Sequence, residues 1–158
     1  MSRTLVLGLG NELLSDDAVG LLAARRLREE LQGRADVIES SLSGVALMEL
    51  FVGYDRAVVI DAIQTGEHAP GTIREFVPSD LDRVLAPSPH YAGLPEMLAL
   101  ARQMELDFPQ QFKILALEVA DATTIGGALT PAVIVALPEL IQRARAVIDG
   151  WETEADHA

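Results

Sequence analysis

Short apolar runs of strand length alternate with stretches of helical period along this chain of 158 residues, and that alternation limits the fold more than any other property. Runs at 3–9, around Val37-Ile38, at 57–60, at 72–77 and at 112–119 read as strands. Segments at 16–31, 43–52 and 93–105 read as helices, the first with Val19, Leu22, Ala23 and Leu27 on one face. A last helix opens at Thr130-Pro131, an N-cap followed by proline at the first helical position. Its apolar face repeats at Val133, Leu137, Leu140-Ile141, Ala144 and Val147-Ile148, with a bend expected at Pro138. Ala57-Val58-Val59-Ile60 is apolar throughout, as a central strand covered on both faces must be. Residues 72–77 alternate instead, like a strand nearer an edge. This order predicts an α/β domain, with helices on both faces of a mostly parallel sheet of about five strands. One domain spans 1–151, and 152–158 is expected to form an acidic flexible tail.

Charge and composition narrow the function. A formal net charge of -12 argues against a nucleic-acid or anionic-membrane partner and favours a cationic one. The absence of cysteine excludes disulfides, thiolate metal sites and a cysteine nucleophile. No apolar run is long enough to span a membrane. Met1-Ser2-Arg3 runs straight into a strand, so no signal peptide and a cytoplasmic location are expected.

The turn after the first strand carries the chemistry. Gly8-Leu9-Gly10-Asn11 leads into Leu14-Ser15-Asp16-Asp17-Ala18-Val19-Gly20. A glycine-rich strand-to-helix turn usually cradles phosphate on the helix N-terminus. Here the same place holds two carboxylates, which suit a cation. A dinucleotide fingerprint would need glycine at position 13, where Leu13 stands, and no phosphate-binding loop or Gly-x-Ser-x-Gly nucleophile turn exists. Ligands of open α/β sheets bind beyond the carboxyl ends of the strands. Asp16-Asp17, Asp61 after Val58-Val59-Ile60, and His90 in Ser88-Pro89-His90 all fall there. Singly, each has a plainer role: a helix cap, a turn former, a surface histidine. Together they make an oxygen and nitrogen site suited to Zn, Ni, Mn or Fe. Asp16 is assigned to the cap and Asp17 to the chemistry. Asp17 and Asp61 acting as a general acid/base pair is a second reading, which leaves His90 without a purpose.

These three motifs in this order, with Ala69-Pro70-Gly71-Thr72 and Leu129-Thr130-Pro131, resemble the maturation endopeptidases of nickel-iron hydrogenases over residues 4–148. The resemblance implies a three-layer αβα domain whose site, both catalytic and metal-binding, consists of Asp17, Asp61 and His90. It implies a hydrogenase large-subunit precursor as partner, and removal of a C-terminal peptide once nickel is in place. Nickel would then arrive with the substrate, although the same ligand set suits other divalent ions. Members often carry Glu where Asp17 stands, Gln-Leu-Gly where Tyr91-Ala92-Gly93 follows the histidine, and Asp-Gly-Gly-Thr where this chain has Glu39-Ser40-Ser41-Leu42. Glu39 is the counterpart of that acidic residue, and Gly10, Asn11 and Glu39 are assigned to substrate binding. The alternatives are a non-proteolytic nickel-sensing chaperone for the same precursor and a metal-dependent hydrolase of small molecules. A monomer is expected, because the substrate must dock over an exposed rim.

Overall fold

A computed structural model describes residues 2–78 and 94–156 of the chain. β1 (Thr4–Leu9) leads through a 3-10 turn (Ser15–Ala18) into α1 (Val19–Glu30), followed by β2 (Asp36–Ser40). A second 3-10 turn (Gly44–Leu47) precedes the short α2 (Met48–Phe51), then β3 (Arg56–Ile63) and β4 (Ile73–Phe76). α3 (Leu94–Gln103), β5 (Gln111–Glu118) and α4 (Pro131–Asp156) complete the described elements. The strands form one sheet in the order β2-β1-β3-β5-β4, parallel except where β4 runs antiparallel to β5. The expected α/β architecture is the observed one.

Strand periodicity divides the core in two. Leu5, Leu7 and Leu9 of β1 and Ala57 and Val59 of β3 pack with Leu47, Phe51, Met97, Leu98 and Ala101, so α2 and α3 cover that face. Val6, Val58, Ile60, Leu115 and Leu117 meet Val19, Ala23 and Leu27 of α1 and Val133, Leu137, Leu140 and Ile141 of α4 on the other. Each fully buried aliphatic side chain contributes about 1.5–3 kcal/mol. β1 and β3 are buried along their whole length, which is why neither alternates with polar residues. On α1 the buried stripe takes Leu21 in addition to Val19, Ala23 and Leu27, while Leu22 is only half-buried.

Two boundaries differ from the expectation. The segment from 152 is not a loose tail as far as Asp156, because α4 continues through it and unbroken through Pro138. Trp151 closes the second core, and Arg34 donates to Asp149 at 2.5 Å and to Glu152 at 2.7 Å, which holds that turn to the loop after α1. These acidic residues have a basic partner more than a hundred positions upstream, which local periodicity cannot reveal. β3 also runs past Asp61 to Ile63, because β5 offers a pairing partner for each of these residues.

Contact between α1 and the sheet is unusually close. A Cβ placed on Gly20 would lie 2.4 Å from the carbonyl oxygen of Leu9 and 2.5 Å from that of Ile60. One placed on Gly8 would lie 2.4 Å from the Gly20 carbonyl oxygen and 2.7 Å from Ala24 Cβ. Glycine at these positions lets the helix backbone rest on the ends of β1 and β3 at once. Alanine at position 20 would gain about 1 kcal/mol of helix propensity. The clash with two backbone oxygens costs more, about 1–3 kcal/mol or above. Gly20→Ala should therefore lower the urea midpoint with an unchanged slope. Wild-type stability in that variant would mean that α1 is not seated as described.

Candidate active site

Asp17 stands at the start of α1, half-buried, inside a loop folded tightly around it. The backbone N–H of Asn11 donates to Asp17 Oδ2 at 2.8 Å, and the N–H of Asp17 donates to the Leu14 carbonyl at 2.8 Å. Asn11 Oδ1 accepts from the N–H of Leu13 at 2.9 Å, which turns the chain towards the helix. Any Cβ on Gly10 would lie 2.1 Å from the Asp17 carbonyl oxygen, so only glycine fits beneath the helix start. Gly10 N–H, in turn, donates to Ser40 at the end of β2.

Asp61 is wholly excluded from solvent, and its Oδ1 accepts from the N–H of Ala62 at 2.8 Å. Burying a carboxylate within an apolar strand is costly unless it is hydrogen-bonded or binds a cation. β1 flanks β3 as far as the pair Gly8 and Ile60, so Asp61 is the first residue beyond that ladder. Gly20 touches both Leu9 and Ile60, and Asp17 lies one turn before it. Asp17 and Asp61 therefore both lie towards the carboxyl end of the sheet, one after β1 and one near the end of β3. Among the described residues no three His, Cys, Asp or Glu side chains gather as a metal site. His90, the predicted third ligand, lies outside the described residues.

Asp16 does something other than cap its own helix. Neither the 3-10 turn nor α1 has a side-chain cap. The Asp16 carboxylate is fully buried and accepts four hydrogen bonds from the far end of the chain: Ala120 N–H at 3.2 Å, Asp121 N–H at 3.0 Å, and Thr130 N–H and hydroxyl at 2.7 Å each. It is therefore the entrance of α4, not of α1, that receives its charge. The hydroxyl of Thr130, expected to cap α4, donates to Asp16. Next to it Ser15 is buried with φ +29°, a backbone state that costs a residue with a side chain about 1–3 kcal/mol. Sequence reasoning missed this cross-link. Its only trace was the motif Leu129-Thr130-Pro131.

The groove beside Asn11 encloses about 330 Å³ and is lined by Gly10, Asn11, Glu12, Arg25, Glu39 and Ser40, among others. The three residues assigned to substrate binding thus border one space. Glu39 does not enter it as a lone charge. Its oxygens accept from Arg25 Nε at 2.7 Å and from Arg28 at 3.0 Å, and Arg25 also donates to Glu12 at 2.7 Å. Hydrogen bonds to Glu12 and Glu39 raise the Arg25 pKa further above its ordinary value. Neither arginine was singled out from the sequence, because a basic residue on a helix has no distinctive pattern.

The loop after β5 is shaped by Asp121, whose carboxylate accepts from the hydroxyl and N–H of Thr124 and the N–H of Thr123. Those bonds lower its pKa to about 2, the Thr124 hydroxyl being the largest cause. The unfolded value is near 3.9, so the folded state gains stability from this group above pH 4 and loses it as pH falls towards 2. Asp121→Asn should flatten the stability profile in that window, followed by urea unfolding at successive pH values. An unchanged acid slope would contradict this account of the loop.

A family model described as hydrogenase maturation protease matches residues 19–147, beginning just after Asp17. The hydrogenase expression/formation protein HupD of Rhizobium leguminosarum bv. viciae is 29% identical over 154 residues, spanning 94% of this chain and 75% of that protein. The Hydrogenase 2 maturation protease of Escherichia coli (strain K12) is 30% identical over 119 residues, 72% of this chain and 71% of that protein. Among solved structures, the hydrogenase maturating endopeptidase HybD from E. coli superposes with a TM-score of 0.74 at 26% identity, covering 94% of this chain and 93% of that one. With its five-stranded α/β fold and two aspartates on one end of the sheet, the chain belongs to the hydrogenase maturation protease family and is an endopeptidase.

Proposed function

We propose that this protease removes a C-terminal peptide from the large-subunit precursor of a nickel-iron hydrogenase, and that it recognises the precursor through nickel already bound there. The observation that supports the reading is the match to the hydrogenase maturation protease family, together with the positions of Asp17 just after β1 and Asp61 beyond the β1–β3 ladder, both towards the carboxyl end of the sheet. His90, four positions before α3 in the sequence, supplies the third ligand. Two carboxylates and an imidazole suit a borderline divalent ion such as nickel. The net charge of -12 draws a cationic centre towards the protein.

The chain lacks cysteine and a serine nucleophile motif, so water is the attacking group. Asp17, Asp61 and His90 grip the substrate's nickel and hold the scissile carbonyl beside it. The ion would polarise that carbonyl or acidify a bound water; in the other option one of the two aspartates leaves the ion and acts as general base on the water. Positioning on the metal accounts for selectivity, so generic unfolded peptides are left uncut.

Mixing the protein with nickel-loaded and nickel-free precursor and weighing the intact large subunit tests this directly. Loss of a C-terminal fragment only from the loaded form is expected. Asp17→Asn, Asp61→Asn and His90→Ala should each leave the mass unchanged while the protein stays folded. Cleavage of nickel-free precursor would contradict recognition through nickel. A folded variant with full activity would remove that residue from the site. An unaltered mass with the wild-type protein would favour the chaperone role.

A further inference from the structure

We propose that Asp16 is a positioning residue for this reaction: by binding the exit of β5 and the entrance of α4, it holds Ser15 in a left-handed backbone state and so sets where Asp17 stands. The proposal rests on the reading of Asp17 as a residue of the reacting site.

Segment 13–16 is attached throughout to segment 120–130. Leu13 accepts from the N–H of Gly126 at 2.7 Å, and Leu14 forms a short antiparallel bridge with Ile125. The Ser15 hydroxyl donates to the Ala128 carbonyl at 3.0 Å, and the Asp16 N–H donates to the Asp121 carbonyl at 2.8 Å. At the centre is the buried Asp16 carboxylate with its four donors, three of them backbone amides. The local turn closed by the Asp17 N–H on the Leu14 carbonyl passes through Ser15 at φ +29°, and the bonds to residues 120–130 clamp that turn from more than a hundred positions away. Asp17 follows immediately, so its direction depends on that restraint as well as on α1.

Chemistry makes the carboxylate specific. An asparagine at position 16 keeps one acceptor oxygen and replaces the other by an NH2 donor. That donor then faces either the amides of Ala120 and Asp121 or the amide of Thr130, and buried N–H groups lose their acceptor. With the restraint gone, Ser15 relaxes to negative φ and Asp17 shifts. Glycine occupies positive φ without steric cost, so Ser15→Gly removes the need for the restraint.

The test measures kcat and KM for cleavage of nickel-loaded precursor by the full-length protein, with melting temperatures recorded for every variant. Asp16→Asn should lower kcat by about 10–100-fold, as loss of an outer-shell partner does, with KM raised as well because Asp17 also grips the precursor's nickel. Adding Ser15→Gly should recover at least about a third of that loss on a logarithmic scale in the Asp16→Asn background, and none in Asp17→Asn. Thr130→Val removes one donor alone and should reduce kcat by a few-fold, about 2–5, which tests the same network if Asp16→Asn fails to fold. The proposal is overturned if folded Asp16→Asn keeps wild-type kcat, if Ser15→Gly recovers nothing, or if Thr130→Val is unaltered when Asp16→Asn does not fold. Wild-type protein that leaves loaded precursor intact would instead overturn the proposed reaction, and the positioning role with it.

Discussion

The site depends on one place where a helix backbone touches two strand ends. Gly20 rests on the carbonyls of Leu9 and Ile60, and Gly8 accepts the helix in return. Helices normally stand off a sheet by the thickness of their side chains. Removing the Cβ atoms brings the start of α1 down onto the junction of β1 and β3. The glycines that looked like the makings of a phosphate loop are there for packing, and what they place at the rim is a carboxylate. Asp61 stands on β3, which lies next to β1 in the sheet.

Neighbouring aspartates in this turn carry different burdens because their surroundings differ. Asp16 is enclosed, and donors from the β5 exit and from Thr130 satisfy it. It costs little to bury and contributes order. Asp17, one position on, is only half-buried and has a backbone amide on one oxygen. Asp61 is buried as deeply as Asp16, yet its amide partner is simply the next residue in the strand. Asp17 and Asp61 are the two that the proposed function assigns to the substrate's cation, on a chain of net charge -12.

Most of the architecture was readable because it rests on local period. The apolar run 57–60 announced a central strand, the alternation of 72–77 an edge strand, and Thr130-Pro131 the start of the last helix, all as observed. What escaped reading depends on partners distant in sequence. Asp16 looks like any helix-capping aspartate until Ala120, Asp121 and Thr130 are brought beside it. Residues from 152 look like a tail until Arg34 is seen against Asp149 and Glu152. Glu39 looks like a lone acid until Arg25 and Arg28 close on it. Asp17 and Asp61 are proposed together because motif order and strand ends both point to the same rim.

X-ray absorption at the nickel K-edge tests the central claim most directly, by following the ion through complex formation. Nickel-loaded precursor would be frozen alone and again immediately after mixing with the protein, before turnover. Recognition through Asp17 and Asp61 predicts additional oxygen or nitrogen scatterers around nickel in the complex, diminished with Asp17→Asn or Asp61→Asn. A nickel shell identical in free and bound precursor, under conditions where the two proteins associate, would contradict it.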